Sequence, residues 1–216
     1  MGILATSLGR LWRGFNPAGR GRHFPLTTEE PLPLPGPWPR GLALARYSRR
    51  PKDEGGERTA VGDLLSRFKY GGEAAVVRAL AEALARALQA DPCYQDVEVV
   101  VHVPATIRRD RPEPASELAR ATARALRLRC LPRLLAPTGS RSVQKDLATA
   151  ADKQRNVDGA FRLRRPQLIR GRKVLLIDDI YDSGATLAEA WRAVMASGAR
   201  EVVVAAFAKT GFQGDA

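Results

Sequence analysis

Four apolar residues running straight into two carboxylates, with a Ser/Gly/Thr turn and a helix behind them, leave few folds open to this chain. The stretch is Val174-Leu-Leu-Ile-Asp178-Asp179-Ile-Tyr-Asp182-Ser183-Gly184-Ala185-Thr186, followed by an amphipathic segment from Leu187 to Ser197. An apolar run without polar alternation suits a parallel strand covered on both faces. A tight turn leading into a helix aims backbone N–H groups at whatever sits at the helix N-terminus, which makes an anion site. The hydroxyls of Ser183 and Thr186 add donors to the same anion. Asp178 and Asp179 are expected at the carboxyl end of the strand, where open α/β sheets place their ligands. One edge of the site then offers donors to a phosphate. The other offers acceptors to hydroxyls or to a hydrated metal. A sugar phosphate satisfies both.

The segments around this stretch alternate between the two periods. Ala74–Gln89 carries an apolar stripe through Val77, Leu80, Leu84 and Leu88, which predicts a helix ended by Asp91-Pro92. Val97–Val103 reads as a core strand, and the loop after it holds Thr106, Arg108, Arg109 and Arg111, an inventory for a second phosphate or for a solvated basic turn. A helix over about 115–128 follows, then a short strand within 131–136. The segment from Thr138 to Asn156 is polar and about twenty residues long, which inside a domain suggests a functional cover or disorder. Gly198 is placed as a C-cap, and Glu201–Ala208 as the last strand. Alternation of this kind implies an α/β fold with a doubly wound, mostly parallel sheet.

Charge and composition bound the partners. The net charge is +12, and Arg dominates, since only six of 35 basic residues are Lys. Arg suits phosphate because its planar fork binds two oxygens at once. The same excess is also what a GC-rich genome produces, so charge alone does not separate bias from a polyanion partner such as single-stranded nucleic acid. Cys93 and Cys130 are far apart in sequence and belong to no C-x-x-C pair, which excludes a structural zinc site of the usual spacing and fits two half-buried thiols in a reducing cytoplasm. His102 lies inside an apolar strand and is read as structural. No apolar run is long enough to span a bilayer.

Residues 1–40 differ from 41–216. There is no acidic residue before Glu29, and the segment ends in Pro31-Leu-Pro-Leu-Pro-Gly-Pro-Trp-Pro39. Such proline density reads as an extended, polyproline-like linker. The arm is open to four readings: a loose extension, a nucleic-acid arm with Trp12 and Phe15 as stacking groups, a transit peptide, or a strap docked on the core. Further on, Phe68-Lys69-Tyr70-Gly-Gly is either a stacking and phosphate patch or the end of a regular element closed by a Gly-Gly turn.

Val174–Thr186 resembles the phosphoribosyl-pyrophosphate (PRPP) signature of type I phosphoribosyltransferases. Phe68-Lys-Tyr-Gly-Gly, Val103-Pro104, Arg141-x-x-Gln144-x-x-Leu147 and Arg155-Asn156-Val-x-Gly159-Ala-Phe161 are similar to the ComF subfamily and stand in its order. The subfamily's N-terminal zinc-binding cysteines are absent. Its Arg-Gly-Phe-Asn-Gln segment is replaced here by Arg111-Pro-Glu-Pro-Ala. The resemblance implies that Asp178 and Asp179 hold the ribose hydroxyls and, through water, Mg2+. It implies that Asp182, Ser183, Gly184, Ala185 and Thr186 bind the 5′-phosphate. Ala105, Thr106, Ile107 and Arg108 would form the pyrophosphate loop. Residues 138–156, with Arg141, Gln144, Lys145, Arg155 and Asn156, would close over PRPP as a lid. Asp182 would act either as a general base at the acceptor or as the cap of the following helix. The implied activity is transfer of ribose 5-phosphate from PRPP to a nitrogenous base or amine. The alternative is a ComF-like accessory protein that binds PRPP without turnover or handles nucleic acid in DNA uptake. Family members often pair, and helix Ala74–Gln89 is a candidate surface for a homodimer.

Overall fold

The computed structural model describes residues 26, 30–49, 56–71, 74–105, 113–138 and 159–211. Its centre is a six-stranded sheet. In chain order the strands and helices are β1 (Leu32–Pro33), β2 (Gly41–Arg46), α1 (Ala60–Gly71), α2 (Ala74–Ala90), β3 (Val99–His102), α3 (Pro114–Ala125), β4 (Arg129–Cys130), β5 (Leu135–Pro137), β6 (Phe161–Leu163), β7 (Lys173–Tyr181), α4 (Ala185–Ala196) and β8 (Glu201–Lys209). The sheet order is β1-β2-β8-β7-β3-β4, and β5 and β6 form a separate two-stranded hairpin. Every pairing from β2 to β4 is parallel, and only β1 runs antiparallel, against β2. The expected doubly wound, mostly parallel α/β architecture is what the chain adopts.

The central strands are apolar on both faces because both faces are covered. Leu175, Ile177, Val203, Ala205 and Phe207 pack against α1, α2 and α3. Val174, Leu176, Val202 and Val204 pack on the other side against α4 and the β5–β6 hairpin. Lys173 opens β7 although it is buried, because Asp96 (2.6 Å) and Glu201 (3.1 Å) receive its ammonium. No described helix is long and apolar enough to cross a membrane.

Several boundaries differ from those expected. The core strand read as 97–103 is Val99–His102. The helix read over 115–128 ends at Ala125, with Arg127 at φ 57 in the turn that follows. The short strand expected within 131–136 is β5, Leu135–Pro137, in the hairpin; β4, which had no counterpart, precedes it in the main sheet across a turn at Pro132 and Arg133. β2 has no counterpart in the sequence reading. Its GLALAR is short and buried along five of six positions, so it shows neither alternation nor length. Cys93 is exposed and not half-buried as expected.

The proline segment, read as an extended linker, joins the core. β1 pairs with β2, and Leu34 and Trp38 are buried against the α4 side of the sheet. Trp38 Nε1 donates to the Leu34 carbonyl at 2.7 Å. Of the four readings of the arm, residues 32–40 follow the docked strap. Residues 1–25, with Trp12 and Phe15, lie outside the described residues.

Candidate functional site

The crevice that α/β sheets use for ligands opens where neighbouring strands send their connections in opposite directions. Here β3 leads through α3 to β4 at one edge, and β7 leads through α4 to β8 on the other side. The crevice therefore lies beyond the carboxyl ends of β3 and β7. Three groups of the expected site meet there: the acidic pair, the turn into α4, and the start of the loop after β3.

Asp178 and Asp179 do not follow the strand; they are part of it. β7 continues to Tyr181, and β8 pairs with it over that length. β3 stops short, and its last bond to β7 is Val103 N to the Ile177 carbonyl, 2.9 Å. The acids thus occupy a stretch of β7 paired on one side only, open on the side of the crevice. Strand alternation turns Asp178 toward the α4 face and Asp179 toward the face of α1–α3. Asp178 Oδ1 accepts from the Asp179 N–H (2.8 Å). Asp179 Oδ2 pairs with Lys69 Nζ at 2.7 Å, between two half-buried side chains. Lys69 stands in the last turn of α1. That settles the Phe68-Lys69-Tyr70 question in part: Phe68 is buried in the core rather than offered for stacking, and Lys69 serves the acidic pair.

Burial, followed by the adjacent Asp179 charge, raises the Asp178 carboxyl from 3.8 to about 8, against the Asp179 N–H and the Lys69 ammonium, which favour ionisation. A carboxyl raised in the folded state stabilises the fold while it stays protonated. Its contribution is full below the unfolded value near 4 and is lost as pH rises towards 8. Asp178→Asn is accordingly expected to melt above the wild type at pH 8 in EDTA, with the gap closing by pH 4. Thermal melts at the two pH values measure this, and a variant less stable than wild type at pH 8 would contradict the assignment.

The turn after β7 is built around Gly184. Its φ is 77, in the left-handed region, and a Cβ there would lie 2.5 Å from the Tyr181 hydroxyl oxygen. Tyr181 cannot give way easily, because that hydroxyl donates to the Pro35 carbonyl (2.9 Å) and its ring meets Trp38 edge-on at 6.4 Å. Gly184→Ala should therefore cost about 1–3 kcal/mol, read as a fall in Tm. A melt within 1 °C of wild type would show that the turn relaxes freely. Gly184 is also the N-cap of α4, and Ala188 N bonds back to its carbonyl (2.8 Å). The first amides of α4 have no partner inside the helix, so they face the crevice as donors. Ser183 is exposed and Thr186 half-buried at the same end, while Ala185 is buried beneath them.

Asp182 is not the helix cap, since Gly184 holds that position. Its Oδ1 accepts from Thr210 Oγ1 (2.7 Å), and Thr210 N in turn bonds the Tyr181 carbonyl (2.8 Å). The cap alternative for Asp182 falls, and its exposed carboxylate stays beside the crevice.

Of the loop after β3, Ala105 is described, and Thr106, Ile107 and Arg108 lie outside the described residues. The Ala105 N–H donates to the Glu113 carboxylate. Glu113 is the N-cap of α3 but makes no side-chain cap, because that carboxylate is turned to the loop instead. His102 is structural as expected: it is buried, with Nε2 3.0 Å from the Pro132 carbonyl. Arg141, Gln144, Lys145, Arg155 and Asn156 lie outside the described residues. The two stems of their segment are joined, Thr138 N to the Ala160 carbonyl (2.9 Å) and Thr138 Oγ1 to the Gly159 carbonyl (2.8 Å). Glu189 of α4 then accepts from Gly159 N at 2.8 Å.

Sequence reasoning did not assign roles to Glu113, Tyr181 or Glu189, and it read Lys69 as part of a stacking and phosphate patch or an element end rather than as the partner of Asp179. Lys69 carried the one usable signal, a rare Lys in an Arg-rich chain. The other three act through contacts 8 to 146 residues apart in sequence, for which no local pattern exists.

Among the described residues no three His, Cys, Asp or Glu side chains gather as a metal cage. The donor set does fit a hydrated magnesium ion, which keeps most of its waters and takes one or two carboxylates plus substrate oxygens. Lys69 already supplies a positive charge to that pair.

The family model for the phosphoribosyl transferase domain matches residues 79–213. No curated protein matches the chain. Among solved structures, the chain is similar to glutamine phosphoribosylpyrophosphate amidotransferase of B. subtilis, at 18% identity and a TM-score of 0.42. That likeness covers 60% of this chain and only 25% of the longer enzyme. It is also similar to adenine phosphoribosyltransferase of Saccharomyces cerevisiae (17% identity, TM-score 0.43, 67% of this chain and 72% of that one). The adenine phosphoribosyltransferase of Leishmania tarentolae stands at 15% identity and TM-score 0.44, over 67% and 74% of the two chains.

Proposed function

The chain belongs to the phosphoribosyl transferase domain family, and from that premise we propose that it is a magnesium-dependent phosphoribosyltransferase moving ribose 5-phosphate from PRPP to a nitrogenous base or amine. The observation that carries this reading is the pairing of two adjacent carboxylates on β7 with the first amides of α4, which have no carbonyl partner within the helix, across one turn at the switch point of the sheet. A phosphate at the turn and the 2′ and 3′ hydroxyls at the carboxylates would use the two ends of the site for the two ends of the sugar.

The roles follow from the chemistry of each group. The α4 amides, with the Ser183 and Thr186 hydroxyls, bind the 5′-phosphate without a compensating side-chain cation. Asp178 and Asp179 accept hydrogen bonds from the ribose hydroxyls and hold the ring still. As C1 gains oxocarbenium character, the negative charge of Asp179 stabilises it, joined by Asp178 once that carboxyl gives up its proton. Asp182, which accepts from Thr210, takes the proton from the acceptor nitrogen in this reading. Ala105, with Thr106, Ile107 and Arg108, receives the pyrophosphate. Asp178 and Asp179 would hold magnesium through water, and the ion when bound would supply positive charge for the pyrophosphate. Residues 138–156 act as the cover that keeps water from the activated sugar.

The test is calorimetric titration of the full chain with PRPP and magnesium, followed by pyrophosphate release with a panel of purines, pyrimidines and small amines. Micromolar binding with release in the presence of one acceptor class is the expected result, and absence of PRPP binding overturns the site. PRPP binding without release, together with single-stranded DNA binding whose log–log salt slope is steep, would instead favour the accessory reading that the +12 net charge suggests.

A further inference from the structure

A second cavity lies at the open edge of the sheet, where β4 passes into β5 and the β5–β6 hairpin returns to the chain. Its volume is about 500 Å³, and five of its ten lining residues are arginines: Arg120, Arg129, Arg133, Arg164 and Arg165. No lining residue is acidic. None of the five forms an ion pair with a carboxylate among the described residues. Elsewhere Arg40, Arg49, Arg192 and Arg200 each meet a carboxylate, whereas here five guanidiniums gather round one hollow with no acid in its wall.

We propose that this hollow is a binding site for a compact oligophosphate, separate from the site at β7. Like charges packed round one cavity repel each other, and an anion with several oxygens relieves that repulsion while meeting the planar forks two at a time. The volume suits a small ligand. The lining contains no Phe, Tyr or Trp, so it lacks the stacking platform that single-stranded nucleic acid uses. An oligophosphate needs none. No lining residue belongs to the β7–α4 turn or to the acidic pair.

The cavity is tied to the neighbouring elements of the fold. Pro132 in its wall accepts from or faces His102 Nε2 at 3.0 Å, at the end of β3. Arg164 N bonds the Leu134 carbonyl at 2.9 Å and closes the root of the hairpin. A ligand here would stiffen the root of the hairpin and the end of β3 together.

The full chain is titrated in EDTA with tripolyphosphate, pyrophosphate and orthophosphate at physiological salt. Affinity is expected to fall in that order. Arg133→Gln with Arg164→Gln should weaken tripolyphosphate at least tenfold. The charge-matched pair Arg78→Gln with Arg86→Gln, on exposed positions of α2, should change it less than threefold. Thr186→Val, at the β7 site, should leave it unchanged. Arg133→Lys with Arg164→Lys keeps the charge but loses the forks, so it should bind tripolyphosphate more tightly than the Gln pair and less tightly than wild type, whether or not the Gln pair folds poorly. Three results overturn the proposal: equal losses in the two Gln pairs, which is diffuse charge; loss in Thr186→Val alone, which is the β7 site; or a dT oligomer displacing tripolyphosphate at lower concentration, which is nucleic acid.

Discussion

A chain carrying Asp178→Asn and Asp179→Asn is expected to lose pyrophosphate release from PRPP by about 10³-fold while remaining folded. Loss of a single preorganised electrostatic partner costs on the order of 10²–10³ in rate, and here both carboxylates under the developing charge are removed. The effect should fall mainly on kcat, because the negative charge acts on the oxocarbenium-like state more than on the bound sugar. The same variant should be no less stable than the wild type in EDTA. Asp178 is raised by burial and by Asp179, so neutralising both removes a repulsion. Asn at 179 gives up the bond to Lys69, which is a half-buried contact of small net worth. Activity lost with stability kept separates a site from a scaffold. Turnover above a tenth of wild type would sink the assignment of the pair, and so would a variant that fails because it unfolds.

Trp38→Ala should be the most destabilising substitution outside the central strands, by about 3–5 kcal/mol, the range for large aromatic truncations. For a chain of this size that is a Tm fall of roughly 10 °C. Trp38 is 7% exposed. Its ring covers Gly36 and Gly41 so closely that a Cβ at either would lie 2.3–2.4 Å from ring atoms. It holds Leu34 by its indole N–H and meets the edge of Tyr181. Tyr181 abuts Gly184 and bonds Pro35, so the strap supports the turn into α4 from behind. PRPP affinity should fall with stability. Were Trp38→Ala to melt within 2 °C of wild type, the strap would be ornamental to the fold and the support of the turn would have to come from elsewhere. Trp38→Phe, which keeps an aromatic ring in the slot and loses the bond to Leu34, is the milder control and should recover more than half of the loss.

Much of the fold was written in local patterns. The unbroken apolar runs of Val174–Ile177 and Val202–Val204 declare strands covered on both faces, since no other environment favours them. The Leu and Ala stripe of α2 declares a helix with one buried face. What failed was short or context-bound. β2 is six residues long and reads the same as a loop. β4 and β5 are two and three residues and differ only in which sheet receives them. The proline strap has no regular period, so its docking depends on Trp38 finding a glycine-floored slot that only the folded chain provides.

The site divides along the same line. The sequence by itself determined the chemical inventory at residues 174–186: three carboxylates, a glycine turn, hydroxyls and a helix start, because covalent neighbours on a strand and turn cannot be far apart. Only the tertiary structure decided how that inventory is charged and held. Lys69 comes to Asp179 from 110 residues away, Pro35 to Tyr181 from 146, and Glu113 to Ala105 across the loop after β3. Burial, which no local pattern measures, lifts Asp178 and leaves Asp182 in solvent. The physical reason is one of range: backbone geometry and periodicity act over a few residues, whereas desolvation and ion pairing act over a few ångströms, and only folding makes the two coincide.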